Sequence, residues 1–570
     1  MKICFIWIKK FRNFENFGFN LSSTEKFKYD LENNYISTKK VDELPIGFFG
    51  ERISDIVGLI GKNGAGKSNA IALLCKSLKD SKSAFKSSFF IITESEGEFT
   101  CHYSNFEKSP PKSDISIKFK EHTGSINPLK VVFFSNVFDE RRNDFGKDVS
   151  DISVNNLFSK RYMFSKSQTS DFEKQIKLID SKHFKDLNID LPTKVQLTSK
   201  VWRNRFNTSM ERRFYQDSYE VVKEFNKIFR DRLRDIRPEN KFIHLLRYGF
   251  FFELIHDSAR PHRNKDTSHY FNIEILGEFL SDLFNQRTEN ITEQLLDFIE
   301  RELRFNRQEK LPLYFNKKDK KRELSIYEKL KSQLKFLKEL YYLPEMLNLE
   351  YNIEGSRNRG SEFFTFDYNN PKAIRFVNEF ISLFEDTNIF DINWLGISSG
   401  HKAYLNLFAS IFQELRYTRQ NNLLLCIDEG DLYLHPKWQI EFLDKLLEVL
   451  PTIFSGKIQL VLTSHSPFLL SDLPNQSITI LDKDYQNASL DGIELKTNTF
   501  GGNLYDLYSE PFFLGNKRTS DFAYNKIKGV INKLESTELS EKEKIDIQKI
   551  SKILGDEIIQ FRINKILNND

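Results

Sequence analysis

The chain has 570 residues, enough for one large core or two to four ordinary ones. With 39% hydrophobic and 29% charged residues it is globular in composition, which excludes a disordered or fibrous chain. A net charge of +4 is too small to announce nucleic acid by itself, so any basic surface must be local.

The first element in chain order is Met1 to Ile8. It has no small-residue cleavage site and soon turns basic at Lys9, Lys10 and Arg12, so it reads as a strand and not a leader. Next, Ile53 to Ile60 is apolar and β-branched, as a strand buried on both faces must be. The run Gly61-Lys62-Asn63-Gly64-Ala65-Gly66-Lys67-Ser68 follows it, and Asn69 to Leu78 then has apolar Ile71, Leu74 and Leu78 at helical spacing. Strand, glycine loop and helix together form a phosphate cradle, GxxxxGK[ST], with every fixed position filled. Asn63, Gly64 and Gly66 give the loop its shape. Lys67 is placed for the β- and γ-phosphates of ATP, and Ser68 for Mg²⁺.

Val131 to Asn136 is another apolar strand. From Ser68 to Ser398 there are 330 residues, and subtracting roughly 100 for an ordinary core leaves one added domain. Residues 150–350 read as a compact helical insertion. Leu324, Tyr327, Leu330, Leu334, Leu337 and Tyr341 step by three and four, and prolines rule out sustained heptads. Within it Arg203, Arg205, Arg212 and Arg213 cluster with Trp202, Phe206, Phe214 and Tyr215, a pattern suited to phosphates and stacked bases. A second basic run lies at Lys317 to Arg322, and acids mixed into the first cluster fit a solvated helix face equally well.

Downstream, Ser398-Ser399-Gly400 opens a helix. Leu423 to Glu429 is an apolar strand ending in two carboxylates. The first, Asp428, suits Mg²⁺. The second, Glu429, is placed to orient and deprotonate water. Asp431 follows, and a last apolar strand runs from Ile458 to Thr463 and ends at Ser464-His465. The cysteines, Cys4, Cys75, Cys101 and Cys426, have no metal-ligand spacing. No apolar run reaches the about 18 residues that would span a membrane, and a cytoplasmic location is expected.

This order of motifs resembles the ATP-binding-cassette ATPases on the SMC and OLD-type branch. The resemblance implies an α/β P-loop NTPase of ABC type with a large helical insertion between Walker A and the signature motif. It makes Ser398, Ser399 and Gly400 the signature, Asp431 the D-loop acid and His465 the switch histidine. Asn136 stands where the Q-loop glutamine is usual, and Asp139 is near it. Arg12, in Phe11-Arg12-Asn13-Phe14, stands where this branch brings an arginine or backbone near the nucleotide. Four parts follow: 1–149 and 351–485 as two lobes of the ATPase core, 150–350 as the insertion, and 486–570 as a helical tail.

The tail, Thr499 to Leu507 and Pro511 to Leu514 followed by helices, resembles the PtuA ATPases of Septu and retron antiphage systems. That resemblance implies an ATPase sensor or scaffold that controls a small HNH nuclease, PtuB. It also implies a homodimer or higher oligomer and, in the retron version, reverse-transcribed DNA and its reverse transcriptase as partners. The alternatives are an SMC-like DNA-repair ATPase and a ribonuclease toxin built on Arg263 and His269, which resemble the HEPN pattern. OLD-type nucleases carry a Toprim domain after the switch histidine, larger than this tail, so no nuclease is expected in this chain. Asp482-Lys483-Asp484 reads as a strand-ending turn.

Overall fold

The computed structural model describes the chain except for residues 79–84, 107–109, 123, 125, 127, 138–142, 155–169, 202–226, 228, 230, 234–235, 259–277, 284–289, 311–316, 343–345, 355–360, 385–388, 483–488, 510–518, 536–538 and 569–570. At its centre is a seven-stranded sheet. Its strands lie in the order Val149–Asp151, Leu129–Ser135, Asn422–Asp428, Lys457–Thr463, Ile53–Gly61, Ile478–Leu481 and Leu490–Asp491. All neighbours are parallel except the last pair.

Both faces of this sheet are covered, and strand alternation explains why its inner strands are largely apolar. Leu423, Leu425 and Ile427 turn to one face. There they join the helices Ser399–Leu415 and Pro436–Ile453 in the largest core. Leu424 and Cys426 turn to the other, against the helix Lys67–Ser77 and the N-terminal sheet. That second sheet has five strands, in the order Phe14–Asn20, Lys2–Phe11, Phe89–Ser95, Glu98–Ser104 and Ile117–Glu121.

The region between the helices Lys67–Ser77 and Ser399–Leu415 contains the long helices Pro238–Ser258, Ile291–Lys310 and Lys317–Lys338, and the helix Pro371–Phe384. It also contains an antiparallel four-stranded sheet that helical periodicity does not foretell, in the order Glu350–Glu354, Ser361–Asp367, Lys194–Ser199 and Phe390–Leu395. Helix and sheet meet through phenylalanines. The Phe242 ring lies 5.3 Å from both Phe364 and Phe390. Pro238 opens its helix, where the missing N–H costs no helical hydrogen bond. Three helices, Asp521–Leu534, Glu541–Lys552 and Glu557–Asn568, end the chain around a small core of Val530, Ile547 and Ile563.

Candidate nucleotide site

Parallel register brings the site together. Ser135 lies opposite Asp428, Asp428 opposite Thr463, and Thr463 opposite Leu59, two residues before the glycine loop begins. Four strand ends therefore meet at the carboxyl edge of the sheet, where a crevice and free backbone groups favour ligands.

The loop ends at Gly66, which caps the Lys67–Ser77 helix with φ of 105°. That left-handed backbone favours glycine, and a Cβ there would sit 2.6 Å from Asn13 Nδ2. Asn63 and Gly64 form the exposed tip. Lys67 is only 5% exposed and curls back along the loop, donating to the carbonyl of Gly61 at 2.8 Å and that of Lys62 at 3.4 Å. Burial pushes its ammonium down to about 8, while Glu429 and Asp428 pull in the opposite direction. The Arg12 guanidinium donates to Asn69 Oδ1 at 2.7 Å, one residue past Ser68, so the N-terminal hairpin turn lies against the start of the loop helix.

Asp428 is buried at the end of its strand and accepts from Thr463 at 2.6 Å, Ser68 at 3.1 Å and Ser135 at 3.4 Å. Burial raises its pKa in spite of these three hydroxyl donors. A buried carboxylate beside a serine hydroxyl is a hard-oxygen pair that fits a divalent cation such as Mg²⁺. Thr463 and Ser135 belong to none of the sequence motifs. Their signal in the chain is their place at the ends of the strands that flank Asn422–Asp428.

Glu429 emerges with φ of 50°, a strained left-handed conformation that turns its side chain out of the strand line. Its backbone N–H is held by Thr463 Oγ1 at 3.0 Å, and its carboxylate lies 3.4 Å from His465 Nε2. The hydrogen bond to His465 holds the Glu429 pKa below the usual range, so the carboxylate is ionised at neutral pH. Asp431 accepts from Ser464 Oγ at 2.5 Å. Asn136 is buried and donates to the carbonyl of Gly430 at 3.2 Å, tying the second strand to the turn after Glu429.

Ser398 caps the Ser399–Leu415 helix by accepting from the N–H of His401 at 3.1 Å, while Ser399 is exposed. Gly400 packs so closely on the turn after Asp431 that a Cβ would lie 2.8 Å from the Tyr433 carbonyl oxygen. None of the described hydrogen bonds joins Ser398, Ser399 or Gly400 to Lys67 or Ser68. Arg203, Arg205, Arg212, Arg213, Asp139, Arg263, His269, Phe512 and Phe513 lie outside the described residues. Lys317 to Arg322 lie on a helix. Among the described residues no further cluster of histidine, cysteine and carboxylate side chains could hold a metal, and no helix is long and apolar enough to cross a membrane.

Residues 198–471 match the family described as "AAA domain, putative AbiEii toxin, Type IV TA system". The chain is 32% identical over 124 residues to the retron Vc95 probable ATPase of Vibrio cholerae, covering 20% of this chain and 23% of that protein. It is 27% identical over 139 residues to the retron Ec83 probable ATPase of Escherichia coli, covering 23% and 25%. Over 83 residues it is 31% identical to the Septu protein PtuA of Bacillus thuringiensis, covering 13% and 20%. The matched stretches thus span a quarter or less of each relative's length. With its glycine loop and acidic strand end on one sheet edge, the chain has the layout of a P-loop nucleotide site, and it is similar to this AAA-domain family, to probable ATPases of retrons and to the Septu protein PtuA.

Proposed function

We propose that the chain is the ATP-binding and ATP-hydrolysing subunit of a bacterial antiphage defence system, PtuA-like, in the cytoplasm. The observation that carries the enzymatic part is the meeting of Lys67, Ser68, Asp428, Glu429 and His465 at one edge of the sheet. In this reading the loop N–H groups and Lys67 bind the β- and γ-phosphates, and Glu429, held ionised by His465, takes the proton of the attacking water. Mg²⁺ held by Ser68 and Asp428 would supply charge neutralisation at the phosphate oxygens.

The ABC-type arrangement is part of the same proposal. Two chains pair so that Ser398, Ser399 and Gly400 of one face the phosphate loop of the other. The region of about 150–350 and the tail then carry partner recognition, with Arg203, Arg205, Arg212 and Arg213 as the nucleic-acid contact. The partner is an HNH nuclease of PtuB type, with reverse-transcribed retron DNA and its reverse transcriptase as further partners where a retron is present. The names of the retron and Septu relatives support the defence-system setting of this proposal.

The test is a phage challenge of cells carrying the chain with its neighbouring genes, alongside nucleotide binding by the purified chain. Protection should vanish in Lys67→Ala. Full protection in that variant, together with unimpaired nucleotide binding, would sink the reading.

A further inference from the structure

Asp482 has no part in the chemistry above, yet it grips the phosphate loop. The strand Ile478–Leu481 runs parallel to the Walker A strand, with Leu481 opposite Gly61. The next residue, Asp482, is 8% exposed, and its Oδ2 lies 3.2 Å from Lys62 Nζ. Lys62 is the second residue of the loop. Its carbonyl accepts from the N–H of Ala65 at 3.1 Å, which closes the loop's turn, and from Lys67 Nζ at 3.4 Å.

The residue whose side chain is held by Asp482 therefore uses its backbone to shape the cradle and to receive the phosphate-binding lysine. The Asp482 side chain is 6% exposed and the Lys62 side chain 45%. The carboxylate is thus the buried end of the pair, and the lysine is its half-exposed end.

We propose that Asp482 is a positioning residue. By anchoring Lys62 it holds the loop in its phosphate-accepting shape, and so sets affinity for the nucleotide and not the rate of bond cleavage. This rests on the nucleotide reading of the site. It also gives a role to Asp482, the first residue of the sequence Asp482-Lys483-Asp484: just past the strand end, its carboxylate reaches the neighbouring loop.

The experiment is a double-mutant cycle on the full chain, with Asp482→Asn, Lys62→Gln and the pair. Equilibrium binding of a fluorescent ATP analogue with Mg²⁺, steady-state hydrolysis and thermal melting are read for each. Each single variant should raise Kd and KM roughly two- to fivefold, with kcat changing less than twofold. The double variant should be no worse than either single one.

A purely structural ion pair would lower the melting temperature and leave Kd unmoved, which overturns the proposal, as would additive effects on Kd. Lys62→Gln alters an exposed side-chain end and remains informative if Asp482→Asn does not fold. Lys67→Ala is the control. Loss of binding there, with ordinary binding in Asp482→Asn, overturns this inference alone. Retained binding in Lys67→Ala overturns the nucleotide reading itself.

Discussion

Two carboxylates stand side by side at Asp428 and Glu429, and their surroundings separate them. Asp428 is buried among hydroxyl donors and its pKa is raised. Glu429 is turned out by a positive φ and its pKa is lowered by His465. A general base needs to be ionised and within reach of water, and Glu429 meets both conditions. Glu429→Gln is expected to keep ATP binding while phosphate release falls about a hundredfold or more. Unchanged release in a phosphate assay would assign the base elsewhere.

Lys67 gives a second expectation at this scale. Its folded pKa of about 8 lies below the ordinary 10.5. Between these values the unfolded chain binds more protons than the folded one, so the stability of the nucleotide-free protein rises as pH climbs through that window. Below about 8 both states are protonated and the penalty is complete. Phosphate oxygens would favour the charged lysine and raise its pKa. Nucleotide binding near pH 8 should thus take up protons, and titration calorimetry in two buffers of different ionisation enthalpy should show it. A heat independent of buffer would contradict the placement of Lys67 on the phosphates.

The Ser399–Leu415 helix buries one side in the main core and leaves its first residue, Ser399, exposed, while Gly400 sits on the turn after Asp431. If this helix start faces a second chain, Ser399→Arg should leave melting temperature and monomer folding intact and abolish ATP-dependent dimers in sedimentation. Dimers that form as before would remove the signature role from Ser399. The Pro238–Ser258 helix is different in kind. Phe242 has no measurable exposure and touches the four-stranded sheet, so Phe242→Ala should cost about 3–5 kcal/mol and lower the denaturation midpoint. That sheet was hidden from local pattern because Lys194–Ser199 pairs with strands at Ser361–Asp367 and Phe390–Leu395, far along the chain. Periodicity reports neighbours in sequence and gives no account of such partners.

For the molecule as a whole, the proposed division of labour is an ATPase centre with recognition elsewhere. Reversing Arg205, Arg212 and Arg213 to Glu should preserve ATP hydrolysis while nucleic-acid binding falls and loses its steep salt dependence. Binding that is untouched would move the nucleic-acid surface away from that cluster.

The glycine loop, the strand before it and the helix after it are legible in the chain's own order of residues, because the residues that shape this turn are neighbours in sequence. So is the acidic strand end, whose apolar run reflects burial on both faces. That Thr463 and Ser135 hold Asp428, that Asn136 bonds the carbonyl of Gly430, and that Asp482 grips Lys62 emerges from the folded chain alone. These partners come from strands set side by side by parallel pairing, hundreds of residues apart in several cases. Hydrogen bonds and ion pairs depend on distance in space, which the sheet's register fixes and no local stretch of sequence records.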